Sequence, residues 1–268
     1  MLRLFFLLTN DTQFTYSLVT QSALVKGHIG SIGVVMGDKT LYHQSQDLAI
    51  QRKKPDMNQF SGVIAGYDPG GNGKHGVAVA SFENGKCHTI TVSTEPSTEA
   101  VITKLESYSD LKAIGIDTLT VWSTGPSGWR PADTWLRDRY KDVKNSVVSA
   151  NGLFGSMGLN GMALLYSIRN SLPQISVNET HPKVLYFALT GRRYDYSKRR
   201  EEMDKYLSEC FQCSVSTESD HEWDAAISVV ATVRGIDGTW THDLFQNPLT
   251  NEGRLVTPSG KASYWWPE

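Results

Sequence analysis

Between residues 62 and 93 the chain reads as three β-strands in immediate succession. The run Gly62-Val63-Ile64-Ala65-Gly66-Tyr67-Asp68 is apolar almost throughout and ends at the turn Pro69-Gly70-Gly71-Asn72-Gly73. In the second run, 75–82, Val77, Val79 and Ser81 alternate with Ala78, Ala80 and Phe82, and Glu83-Asn84-Gly85 separates it from a third run, 86–93. Alternation bounded by glycine turns is the signature of hairpin-linked strands. Ser97-Thr98-Glu99 then opens a helix with Val101, Leu105 and Tyr108 on one face, and Leu111-Lys112-Ala113-Ile114-Gly115-Ile116-Asp117 reads as a buried strand after it. A helix crossing over between two strands implies that they are parallel neighbours. Further helices are expected near 131–141, 160–171, 182–190, 197–210 and 221–234, with one more strand at 174–179. The order β-β-β-α-β-α-α-β-α-α-α predicts an α/β domain on a mixed sheet of five strands, three antiparallel ones extended by parallel ones, with helices on both faces.

With 268 residues and 40% hydrophobic content, the chain can bury an ordinary core without crosslinks. Its three cysteines, Cys87, Cys210 and Cys213, include one close pair without a second pair or a histidine at zinc-finger spacing. Helix-end packing is the favoured reading of that pair, and a reducing cytoplasm the favoured location. The opening Leu2 to Leu8 run is cut by Thr9-Asn10-Asp11, short of the ~7–15 apolar residues of a secretory core. No run approaches the ~20 apolar residues of a membrane helix, and no membrane partner is expected. A formal charge of -2 means that any nucleic-acid contact must come from a local patch. Residues 1–59 lack periodicity and end in Gln51-Arg52-Lys53-Lys54-Pro55-Asp56. They are read as an extension to a domain of residues 60–268, either a small add-on with strands near 29–35 and 40–43 or the product of an early assigned start, with Met57 as the alternative.

Four acids stand where an apolar run ends or a helix begins: Asp68, Asp117, Glu179 and Asp224. Carboxylates at the carboxyl ends of neighbouring strands can share a cation, and two divalent cations activate water and stabilise a leaving oxygen in phosphodiester hydrolysis. Hard oxygen ligands suit Mg²⁺ or Mn²⁺. Each acid also has a plainer reading. Asp68 and Asp117 can simply open turns, and Glu179, just before Thr180-His181-Pro182-Lys183, can favour a helix dipole with Pro182 as first helical residue. In Ser219-Asp220-His221-Glu222-Trp223-Asp224-Ala225, Ser219 and Glu222 fit a capping box. Asp220 and Asp224 lie along one edge of that helix, where their repulsion is a physical argument for metal. His181 is either a cap or a hydrogen-bonding support, and His221 stands in reserve. Gly73-Lys74 is not a Walker A motif, because Asp68 and His75 occupy the positions of its glycine and hydroxyl residue.

At this point the chain resembles a family, the uncharacterised proteins grouped as domain of unknown function 429, described as predicted nucleases with a ribonuclease H-like fold. The resemblance spans roughly residues 62 to 258 and rests on Gly66-Tyr67-Asp68, Gly115-Ile116-Asp117, the segment Arg130-Pro131-Ala132-Asp133-Thr134-Trp135-Leu136-Arg137, Glu179-Thr180-His181-Pro182, and Asp220 through Ala225. His221, Asp224 and Ala225 are also similar to the H-x-x-D-A pattern that opens the last helix of Holliday-junction resolvases. Thr118-Leu119 departs from the family, which commonly has Pro after the residue following the second Asp. The resemblance implies a ribonuclease H-like sheet and a metal-dependent nuclease. In it Asp68, Asp117 and Asp224 would hold Mg²⁺ or Mn²⁺, Asp220 would stand by, and Glu179 would be a fourth ligand or orient water.

It also brings in Arg130 and Arg137, which either clamp a phosphate or, for Arg137 with Asp133, pair on a helix surface. Lys74, Lys198 and Arg199 are further candidate substrate contacts. Arg192, Arg193, Lys198, Arg199 and Arg200 form a cluster interleaved with Tyr194 and Tyr196, fit for nucleic acid or for a solvated face. Two rivals remain open: a noncatalytic nucleic-acid or protein-binding module on the same fold, and an actin-like phosphotransferase, for which ~200 residues leave little room. The type of nucleic acid and the oligomeric state are left open.

Overall fold

In the computed structural model the described residues are 60–71, 73–149, 155–248 and 254–267. The extension 1–59, with its two expected strands, lies outside them. Strand β1 (Gly62–Asp68) pairs antiparallel with β2 (His75–Glu83), which pairs antiparallel with β3 (Lys86–Glu95). After helix α1 (Thr98–Glu106), β4 (Leu111–Ile116) joins the other side of β1 in parallel. Strand β6 (Ser176–Glu179) follows β4, also in parallel, so the five-stranded order is β3-β2-β1-β4-β6. This is the expected ribonuclease H-like plan. The two-residue β5 (Trp122–Ser123) lies outside this sheet.

The helices are α2 (Pro131–Arg139), α3 (Ser156–Ser171), α4 (Pro182–Thr190), α5 (Tyr196–Phe211) and α6 (Asp220–Ile236). No helix of the described residues is long and apolar enough to cross a membrane. Four of the helix starts have a local cause: the Ser97 hydroxyl accepts from the Ala100 N–H, Pro131 and Pro182 sit in first turns, and the Ser219 hydroxyl accepts from the Glu222 N–H. The capping box at α6 is only half formed. Glu222 takes the backbone N–H of Glu218, one residue before the one expected, and the hydroxyl of Thr94. Cys210 lies in the last turn of α5, before Gln212 in the left-handed region at φ 56°, and all three cysteines are free thiols.

Alternation along the strands sorts side chains into two cores. Ile64, Ala78, Ala80 and Ala113 face a layer built from α2, α4, α5 and α6. Ala65, Tyr67, Val77, Val79, Ile114, Ile116 and Val177 face α1 and α3. Strands covered on both sides must be apolar throughout, hence the continuous runs of β1 and β4. The exposed edge strand β3 is instead rich in Thr and Ser.

Helix α6 crosses the sheet on a bed of glycines. A Cβ on Gly76 would collide with the His221 carbonyl oxygen, one on Gly66 with that of Ala225, and one on Gly115 with that of Ser228. Three adjacent strands thus each yield a side chain where the helix backbone passes. Thr180 and Ser228 hydroxyls bond at 2.8 Å, and Asn178 donates to the Thr232 hydroxyl at 3.3 Å, extending the seam to β6. Gly66→Ala therefore has to lift α6, and is expected to cost about 1–3 kcal/mol, as overpacking does. A urea melt with unchanged midpoint would refute this close seating.

Small elements absent from the expectation complete the fold. β5 pairs with β8 (Leu255–Val256), and β7 (His242–Asp243) pairs with β9 (Trp265–Trp266). The aromatic C-terminal segment packs back as expected, with Trp266 buried and its indole N–H on the Tyr140 hydroxyl at 2.9 Å.

Candidate metal centre

Strand register decides which acids meet. Tyr67 is level with Ile116, and Ile116 with Glu179. Asp68 ends β1, and Asp117 follows β4 with its N–H on the Tyr67 carbonyl at 3.0 Å, so both stand one residue beyond that row. Gly66 and Gly115, two residues earlier, face α6, and by the same pleat Asp68 and Asp117 are on the α6 side. Asp224 comes to them from the first turns of α6. Asp68 and Asp224 are buried and Asp117 half-buried.

Their electrostatics tie the three together through Asp68, whose charge acts on both Asp117 and Asp224. Burial raises the proton affinity of Asp68, opposed by the hydrogen bond and charge of His221. Asp117 is pushed well above the ordinary carboxylate range by burial and then by the Asp68 charge, and Asp224 by burial and then by Asp68 and Asp117. Among the described residues Asp224 Oδ1 is buried without a close hydrogen bond, and the nearby Tyr194 hydroxyl eases that burial. A buried carboxylate oxygen without a close hydrogen bond, beside two like charges, is costly unless a cation joins it. Among the described residues, however, no three His, Cys, Asp or Glu side chains stand together at spacing ready to hold an ion. The donor set fits a hard divalent cation in kind, all oxygen, with closure of the oxygens still required. Asp220 is exposed at the edge, and its charge raises Asp68 further.

His221 Nδ1 donates to Asp68 Oδ2 at 2.5 Å, which holds the imidazole protonated to higher pH than usual. His181 occupies the N-cap position of α4, but its ring makes no cap bond. Its Nε2 instead donates to the Ser146 carbonyl at 3.0 Å, and burial drives its pKa down to about 4. The ring is therefore neutral at pH 7, with Nδ1 a bare, unpartnered acceptor.

Glu179 lies on the other side of the pleat. One residue back in register, it shares the face of Val177 and Ile116, and a buried guanidinium meets it there. Arg130 reaches Glu179 at 2.7 and 3.1 Å and Asp133 at 2.7 and 2.9 Å, and donates to the Val121 carbonyl at 3.1 Å. Glu179 also accepts the N–H and hydroxyl of Thr120, at 2.7 and 2.8 Å. Burial opposes the Arg130 charge, but Glu179 and Asp133 more than offset it and its proton is held more tightly than usual. These bonds engage Nε and both terminal nitrogens within the protein, which corrects the expectation of Arg130 as a phosphate clamp: it fixes Glu179 in place.

Among the described residues Arg137 pairs with no acid. Its Nη1 donates to the Lys144 and Val147 carbonyls, and its guanidinium lies 4.7 Å from the Trp129 ring centre. Asp133, the partner expected for Arg137, is taken by Arg130. The basic cluster is largely neutralised: Arg192 and Arg199 pair with Glu202, Arg200 with Asp204 at 3.7 Å, and Lys198 with Asp195 at 3.3 Å. Lys74 is exposed in the β1–β2 loop.

Lys183 is the residue that sequence reasoning passed over. Exposed in the first turn of α4, it lowers the proton affinity of Asp68, Asp117 and Asp224 alike. Its signal was local: a cation in the first turn works against the helix dipole, a departure from the usual pattern that singles the position out. Tyr194 completes the surroundings: its buried hydroxyl lies by Asp224, and burial followed by the charge and hydrogen bonding of that carboxylate raises its proton affinity.

No family model matches the chain, and no curated protein matches it. Among solved structures, it is similar to the Thermus thermophilus RuvC structure at 16% identity and TM-score 0.40, covering 66% of this chain and 97% of that one. It is also similar to T. thermophilus RuvC in complex with Holliday junction substrate, at 17% identity and TM-score 0.36, with the same coverage.

Proposed function

We propose that this chain is a metal-dependent nuclease or closely related phosphodiesterase of ribonuclease H-like fold, of the kind grouped as domain of unknown function 429. One observation carries the reading: β1, β4 and α6 deliver Asp68, Asp117 and Asp224 to one end of the sheet, where Asp68 raises the proton affinity of Asp117 and both raise that of the buried Asp224. In this reading Asp68, Asp117 and Asp224 hold Mg²⁺ or Mn²⁺, with Asp220 at the outer edge. The cation supplies Lewis acidity and an activated water for phosphodiester hydrolysis.

The protein's own groups do the rest. His221 orients the Asp68 carboxylate through its Nδ1–H. Lys183 balances the acids and offers an ammonium to an incoming phosphate. Glu179, gripped by Arg130 and Thr120, keeps the floor beside Asp117 rigid. The partner is nucleic acid, and three free thiols suit a reducing cytoplasm.

The test is cleavage of labelled single- and double-stranded DNA, RNA, hybrids and branched junctions with Mg²⁺ or Mn²⁺. Expected is cleavage that vanishes in EDTA and in Asp68→Asn. Cleavage retained by Asp68→Asn overturns the assignment, and inactivity together with no metal-induced shift in melting temperature moves the reading to a noncatalytic binding module.

A further inference from the structure

Two hollows flank the carboxylates, and they differ in size. One is a cavity of about 170 Å³ bordered by Asp117, with Leu119, Met157 and Tyr264 among its walls. The other is an open groove of about 860 Å³ bordered by Asp220, with Arg193, Tyr194 and Tyr196 in its lining. Lys183 and Ser146 line both, so the two hollows share a wall there, at the lysine whose charge acts on Asp68, Asp117 and Asp224. An apolar cavity of ~150 Å³ admits one benzene ring. A cavity of this size thus takes a single ring and excludes a base pair.

We propose that the site takes a nucleic-acid strand whose base beside the point of cleavage is unpaired, with that base in the small cavity and the adjoining strand in the groove. This deepens the nuclease reading and rests on it for the position of cleavage. Leu119, Val148, Met157 and Tyr264 give the cavity apolar surface that suits the faces of a base, and its remaining walls are polar groups such as Thr118 and Thr180 that suit a base's edge. Tyr196 gives the groove aromatic surface for stacking, as single-strand sites use, while Tyr194 packs against Tyr186 and Trp223 with the Lys183 ammonium over its ring. Charge points the same way. A duplex presents one phosphate charge per ~1.7 Å of axis, whereas this chain is net -2 and most of its basic cluster is tied to Glu202, Asp204 and Asp195. The groove itself carries Asp142, Asp195, Glu218 and Asp220 against Lys183 and Arg193, so its hold on a strand comes from its aromatic surface and from those two cations and not from net charge.

The test is equilibrium binding in EDTA, where no turnover occurs, of a labelled single strand, the matching duplex, and a duplex with one unpaired nucleotide. The parent and Asp224→Asn are measured side by side, since the latter lacks one charge that repels phosphate. Expected is at least tenfold tighter binding of the single strand and the unpaired-nucleotide duplex than of the plain duplex. Met157→Trp, which fills the cavity, removes that preference; Val148→Trp, at a residue 45% exposed on the cavity wall, does so without touching the core. Tight binding of the single strand alone places the base only in strands already open, and equal binding of both adds flipping from a duplex. No binding of any strand by either protein, equal binding of the plain duplex, or a preference unchanged in both tryptophan variants overturns the proposal. Because catalysis is not read, the preference can hold while the cleavage panel is silent, and cleavage can occur while the preference fails.

Discussion

Asp224→Asn is expected to lower metal-dependent cleavage by about 10²–10³-fold, the scale of losing one electrostatic stabiliser of a transition state, and to raise the melting temperature in metal-free buffer at pH 7. Both effects have one cause. Asp224 is buried beside Asp68 and Asp117 without a close hydrogen bond on Oδ1, so its charge is useful to a cation and costly without one. The pH dependence carries the same sign. Asp68, Asp117 and Asp224 have folded pKa values raised above the ordinary 3.8, so between that value and each raised value the folded state binds more protons than the unfolded. Stability contributed by these groups is therefore present below about 3.8 and lost as pH rises through the raised values. The metal-free parent should melt lower as pH rises through this window, less steeply in Asp224→Asn, and Mg²⁺ should restore the parent at neutral pH. Calorimetry against pH checks this; a variant that melts below the parent at pH 7 contradicts it.

Arg130→Met is expected to cost about 3–5 kcal/mol of stability, the range for breaking a buried ion pair from one side. For a domain of this size, that is roughly a 10 °C fall in melting temperature. The guanidinium, Asp133 and Glu179 are each no more than 2% exposed, so the substitution strands two carboxylates without a counter-charge. Glu179→Gln alone leaves Arg130 its Asp133 partner and should cost less, and combined with Arg130→Met it should recover part of the loss. Cleavage should fall in Arg130→Met as well, because Thr120 and Glu179 border the site through that guanidinium. Urea unfolding of the single and double variants measures the coupling; additive losses would mean that the pair is not a unit.

Much of the frame was legible because its causes are local. β1 has the expected bounds, since its apolar run is closed by glycine at one end and Asp-Pro-Gly at the other. Helix α4 begins at Pro182 and ends before Gly191, which takes a left-handed φ of 69°. The two-residue strands were not legible, because Trp122 pairs with Val256 and His242 with Trp266, partners far along the chain or too short to pattern. The basic run 192–200 read as available charge, and the glutamate and aspartates that neutralise it became visible only in the fold.

The candidate site divides along the same line. That Asp68, Asp117 and Glu179 end strands, and that Asp224 opens the last helix, is written in the order of apolar runs, glycines and caps. Which of them share a side is not, since alternation is a property of one strand while register is set by hydrogen bonds between strands. One residue of offset turns Glu179 away from α6 to its partner Arg130 and leaves Asp68 and Asp117 toward that helix. Only the glycine-bedded crossing of that helix then brings Asp224 to them.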